Sequence, residues 1–140
     1  MKNINITLAF FLILICQLSA CTQEKKSTMT SEQIVQQNLD AYNNRNIETF
    51  MSHFSDDIQL FAFGNPIPTA DSKAKVKAIY QNLFEQSPEL FSKIKKRIVF
   101  KNKVIDHEVI SGRMGKKAPV EMVLIYEVED GKIIKITAIK

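Results

Sequence analysis

A chain of 140 residues, 45% hydrophobic and 24% charged, holds enough apolar side chains for one core and too few residues for two domains. Its formal net charge of +4, with both signs interspersed along the chain, is that of an ordinary soluble surface and excludes a protein that holds nucleic acid by bulk charge. With only Cys16 and Cys21 present, a disulfide-stapled scaffold is excluded as well.

At the N-terminus Lys2 supplies a positive charge ahead of an apolar run from Ile4 to Ile15 that only Asn5 and Thr7 interrupt. That is the layout of a secretory signal peptide. The run is short of the roughly 20 apolar residues that a spanning helix needs. It closes on Leu18-Ser19-Ala20-Cys21, which resembles the bacterial lipobox: a branched apolar residue, two small ones, and the cysteine that is acylated. Residues 1–20 are therefore expected to be removed, and Cys21 to carry the lipid that fixes the protein to a membrane of the bacterial cell envelope. Two or three acyl chains at one terminus anchor firmly where one does not. Cys16 leaves with the signal, so no disulfide forms within the mature chain. Residues 21–29, polar and without apolar period, read as a tether, and residues 30–140 as the folded domain.

Thr30 with Gln33 has capping-box spacing, and Ile34, Val35, Leu39 and Tyr42 continue a helical stripe to about residue 44. Asn46 caps a second, short helix whose Ile47, Phe50, Met51 and Phe54 repeat with the period of one buried face. Ile58 to Phe63, bounded by Gly64-Asn65-Pro66, reads as a strand. Asp71 or Ser72 opens a third helix with Val76, Ile79, Tyr80, Leu83 and Phe84 on one face, ended by Ser87-Pro88. Strands are expected over about 91–101, 103–112, 120–129 and 132–139, the last two joined by an Asp130-Gly131 hairpin turn. Helices first and an antiparallel meander after describe an α+β domain whose helices cover one side of a curved, mainly antiparallel sheet.

The segments LDAYNNRNIETFMSHFSDDIQLF, RIVFKNKVIDHEVISGRMG and VEMVLIYEVEDGKIIKI together resemble the nuclear transport factor 2-like superfamily, in its SnoaL-like and ketosteroid-isomerase-like branch. The resemblance spans about residues 31–139. It implies a cone-shaped α+β barrel with an apolar cavity open at one end, which members use for isomerisation, cyclisation, dehydration or plain binding. Such a fold does not select one function. The carboxylate base of ketosteroid isomerases would fall at or beside Ala62, and their helix tyrosine near Asn38. Neither residue type matches, so neither role is carried over.

Among candidate catalytic groups, Asp106, His107 and Glu108 crowd on one predicted strand. Alternation sets Asp106 and Glu108 on one face and His107 on the other. A cavity-facing His107 would serve as general acid or base near neutral pH, with Asp106 as the next candidate. Tyr42, Phe61, Phe63, His107 and Tyr126 are the candidate ligand contacts: the aromatic strand residues line a pocket in either parity, and a buried tyrosine hydroxyl needs a partner. Arg97 and Arg113 are the side chains suited to a carboxylate, although charged residues are common at strand ends. The alternating basic run from Lys93 to Lys103 is expected on a solvated face. His53 reads as a rim or surface residue. With no His-x-His, Cys-x-x-Cys or Gly-x-Ser-x-Gly pattern, neither metal nor cofactor is expected. The expected partner is a small apolar or amphipathic molecule. The rival readings are proton transfer by His107, and dimerisation or docking through the open sheet face.

Overall fold

The computed structural model describes residues 29–140. The expected signal peptide, Cys21 and all but the end of the expected tether lie outside the described residues.

Helix α1, Ser31–Asn43, begins on the capping box: Gln33 N donates to Thr30 Oγ1 (3.2 Å), and Thr30 N donates back to Gln33 Oε1 (2.9 Å). These two bonds satisfy amides that the first helical turn leaves unpaired. Helix α2, Ile47–Ser52, is capped by Asn46, whose Oδ1 accepts from Thr49 N. It ends earlier than the hydrophobic stripe suggests, because Phe54 already belongs to strand β1, Phe54–Ala62. Parallel pairing of Phe54 with Ile133, together with a bond from Ile133 N to His53 O, takes the chain out of the helix. The Phe54 ring still packs on Phe50, centroids 4.9 Å apart, so the stripe is real although a helix–strand junction divides it.

Helix α3, Lys73–Glu85, buries Val76, Leu83 and Phe84 and leaves Ile79 exposed. Its N-cap is Ser72, which makes no side-chain capping bond, while Asp71 pairs with Lys75 at 2.7 Å. Four strands follow: β2 Phe91–Phe100, β3 Lys103–Ser111, β4 Val120–Glu129 and β5 Lys132–Ile139. The sheet order is β1-β5-β4-β3-β2, antiparallel except where β1 runs parallel to β5. Asp130 and Gly131 both take positive φ, 46° and 75°, as a tight hairpin between right-twisted strands requires.

The three helices cover the inner face of this sheet, and an aromatic cluster of Tyr42, Phe50, Phe54, Tyr80 and Phe84 ties them together. Among the described residues no helix is long and apolar enough to cross a membrane.

One irregularity decides what the inner face contains. Ile94 pairs with Glu108 and Lys96 with His107, so Lys95 is an extra residue in β2. The inserted residue reverses the alternation beyond it. Before the bulge Ser92 faces inward; after it Arg97 does, and its guanidinium grips the fully buried Asp106 through two bonds of 2.7 and 2.6 Å, with Gln36 Oε1 taking a third. The basic run is thus solvated except at Arg97.

Removing one partner of a buried ion pair leaves the other uncompensated. Asp106→Ala is expected to lower unfolding stability by about 3 kcal/mol, read from urea denaturation midpoints. The double variant Arg97→Met/Asp106→Leu should recover most of that loss, and equal losses in the single and double variants would deny the pair its role.

Candidate functional site

Between the helices and the concave face of the sheet lies an open-ended cavity of about 360 Å³. Its walls are mostly apolar: Leu39 and Phe50 from the first two helices, Leu83 from α3, and Ile110, Met122 and Ile136 from the sheet. Such a volume and lining are those of a small-molecule pocket. Ile79, Asn82, Met114 and Lys140, all exposed, mark its rim.

The polar groups inside are few. Glu108 projects from β3 into the cavity and is 2% exposed. Ser92 Oγ donates to its Oε2 at 2.5 Å, and the Tyr126 hydroxyl donates to Oε1 at 3.2 Å. Ser92 is itself held by Asn43 at the end of α1, which accepts from Ser92 N (2.7 Å) and donates to Ser92 O (3.0 Å). Burial raises the Glu108 carboxyl above the ordinary value, with the nearby Asp106 charge adding to it. The Ser92 and Tyr126 hydrogen bonds work in the opposite direction. Burial likewise holds the Tyr126 phenol well above its usual range, so it remains a donor, and the Tyr80 phenol is pushed up to about 12.

Tyr42 lines the same space, and its buried hydroxyl has no hydrogen-bond partner among the described residues. The Arg113 guanidinium lies beside it and partly offsets the upward push that burial gives its pKa. Arg113 comes from a single 3₁₀ turn, Arg113–Gly115. That turn follows Gly112 at φ 66°, where an added Cβ would run into the Glu89 carbonyl. Only glycine fits so close an approach at positive φ.

The sequence candidates divide. Tyr42, Phe61 and Tyr126 stand in the cavity lining. Phe63 does not: β1 ends at Ala62, and the Phe63 side chain is 67% exposed. His107 is corrected too. The alternation of β3 buries Val104, Asp106, Glu108 and Ile110 and turns His107 to the outer face, where Nε2 lies 2.5 Å from Glu121 Oε1. The inward neighbour Asp106 is taken up by Arg97 and is not part of the lining. His53, expected at the rim or surface, is buried outside the cavity beside Gln37; burial lowers its pKa and so favours the neutral ring. The residues that sequence reasoning underweighted are Glu108 and Ser92. Glu108 was visible from strand parity alone, because any reading that turned His107 outward turned Glu108 inward. Among the described residues no group of three His, Cys, Asp or Glu side chains is placed to hold a metal ion.

This architecture, an apolar cone closed by helices at one side and a curved sheet at the other, defines the class of α+β cone folds. The sequence model for the SnoaL-like domain matches residues 35–136, and the chain belongs to that family. Among solved structures, an uncharacterised cystatin-fold protein from Novosphingobium aromaticivorans superposes with a TM-score of 0.71 at 20% identity, over 80% of this chain and 99% of that one. An M. tuberculosis epoxide hydrolase of the LEH-like kind gives 0.66 at 15% identity, over 78% and 80%. A candidate SnoaL-like polyketide cyclase from Jannaschia sp. CCS1 gives 0.65 at 15%, over 77% and 83%. At such identities the likeness is one of fold. No curated protein matches the sequence.

Because burial raises the Glu108 value, the folded protein binds this proton more readily than the unfolded chain. Relative to Glu108→Gln, the wild type is therefore stabilised on acidification. The advantage is complete below the unfolded carboxyl value of about 4.3 and is lost as pH rises through the raised folded value. Melting temperatures of both proteins between about pH 4 and pH 8 should show the difference shifting toward the wild type as pH falls. A difference independent of pH would mean that this carboxyl is not desolvated.

Proposed function

We propose that this protein is a lipid-anchored component of the bacterial envelope whose domain holds a small, largely apolar ligand in its cone. The observation that carries the binding reading is the cavity itself: apolar walls with a few polar groups, Glu108, Tyr126 and Tyr42, at fixed positions within them. Apolar walls supply affinity in rough proportion to the area they cover, and the fixed polar groups set orientation. The anchor reading rests on the Leu18-Ser19-Ala20-Cys21 sequence at the end of an apolar run.

A second reading follows from Glu108. A carboxyl raised by burial and placed against an apolar pocket donates a proton to a carbonyl when neutral and accepts one when ionised, which is general acid–base equipment. Proton transfer in this protein would then run through Glu108 and not through His107, which faces away from the cavity. Turnover of a bound substrate by Glu108→Gln at the wild-type rate would end this reading.

Binding is tested by melting residues 27–140 against apolar ring compounds, fatty acids and small carboxylates. A ligand at about 100 times its dissociation constant adds roughly 2.7 kcal/mol, a rise of several degrees in a domain of this size. Ala138→Phe, which fills the cavity from β5, should retain the fold and lose the response. If no compound class raises the melting temperature of the wild type, the cavity is not a binding site. For the anchor, Cys21→Ser should move the full-length protein from the membrane to the soluble fraction in its bacterial host; an unchanged membrane fraction would remove lipidation at this residue.

A further inference from the structure

The cavity carries a charge asymmetry that an apolar ligand alone leaves unused. At its inner part Glu108 already has two donors, Ser92 and Tyr126. Around Arg113 the situation is reversed: among the described residues there are donors with no carboxylate to accept from them. Arg113 lines the cavity, and among the described residues no carboxylate pairs with it, whereas the other interior arginine, Arg97, is fully engaged by Asp106 and Gln36. Beside it the Tyr42 hydroxyl, on a residue only 7% exposed, has no acceptor for its proton among the described residues, the Arg113 guanidinium next to it being itself a donor. A buried hydroxyl without a partner is unfavourable by about 1–3 kcal/mol, and a native structure rarely carries one that no ligand or water ever satisfies.

The turn that presents Arg113 is built to a fixed shape. Gly112 is pressed against the Glu89 backbone, Met114 takes φ 50°, Met114 N donates to the buried Ser87 Oγ (2.8 Å), and Lys116 N donates to Arg113 O (3.0 Å). A loop of this kind holds its arginine against the cavity instead of leaving it free in solvent. Preorganised donors lose less on binding.

We propose that Arg113 and Tyr42 form an anion subsite for the carboxylate of an amphipathic monocarboxylic acid whose hydrocarbon body lies along the apolar wall of the cavity. The proposal rests on the ligand-binding reading above and names its substrate class. A carboxylate suits the donors present: the planar fork of one guanidinium matches its two oxygens, and the phenol adds a third bond. One cation answers one negative charge. A phosphate monoester would bring a second negative charge to a partly buried place where Arg113 is the one guanidinium in the lining among the described residues. Lys140, exposed at the rim, lies where solvent screens it.

The test uses residues 27–140 and two probes of equal chain length, decanoate and decan-1-ol, with dissociation constants from calorimetry on wild type, Arg113→Met, Tyr42→Phe and Lys140→Met. Wild type is expected to prefer decanoate by about ten-fold or more, since hydrogen bonds to a charged group contribute roughly 1.5–3 kcal/mol. Arg113→Met should abolish the preference by weakening decanoate far more than decan-1-ol, and a cooperative thermal unfolding transition shows that the variant is folded. Tyr42→Phe should reduce the preference, and Lys140→Met should leave it in place. Equal affinity of the wild type for acid and alcohol would overturn the subsite and leave the apolar cavity standing. Loss of the preference in Lys140→Met but not in Arg113→Met would overturn the assignment to Arg113. Failure of both probes to bind wild type would overturn the subsite together with the ligand-binding reading beneath it.

Discussion

Strand β3 places two carboxylates, Asp106 and Glu108, on the buried face of the sheet, and much of the interior is arranged around that fact. An ionised carboxyl does not enter an apolar interior unless it is paired or hydrogen-bonded. The two are handled differently. Asp106 receives a guanidinium, and the β2 bulge at Lys95 is what turns Arg97 inward to supply it. Glu108, with no cation of its own, receives two hydroxyls and a raised proton affinity. Adjacent inward positions of one strand thus hold a committed ion pair and a hydrogen-bonded carboxyl whose proton affinity burial raises. Only the second meets the cavity.

This division keeps the ion pair of the sheet apart from the carboxyl that faces the cavity. The Arg97–Asp106 pair joins β2 to β3 and, through Gln36, reaches α1. Asn43, further along the same helix, fixes Ser92 and through it Glu108. Helix α1 therefore registers against β2 at two heights, and Glu108 is held in part by Ser92 and Asn43, which are not in the cavity lining. Such supporting bonds are what allow a polar group in an apolar pocket to keep one orientation.

What was legible in the sequence is what is local. The Thr30–Gln33 capping box, the Asn46 cap and the Asp130-Gly131 turn each depend on residues a few positions apart, and each takes the form its chemistry dictates. The start of β1 was not legible, because Phe54 pairs with Ile133 from the far end of the chain. The bulge at Lys95 has no local signature either: an alternating run looks regular until the partner strand sets the count, so the inward turn of Arg97 could not be read. His107 drew attention as the side chain that titrates near neutrality. The parity of Val104, Asp106, Glu108 and Ile110 in fact pointed to Glu108 as the cavity residue, since apolar neighbours on both sides of the carboxylates identify the inner face.

The order of strands has a consequence for how such a chain acquires its shape. Strand β5 follows all other strands in the chain yet lies inside the sheet, flanked by β4 and β1. Until it docks, β1 has no neighbour in the sheet, and Ile136 and Ala138 are missing from the cavity wall. Contacts between remote segments form slowly, because loop closure must precede them. A chain in which β5 has not yet docked therefore has an incomplete pocket and an open β1 edge.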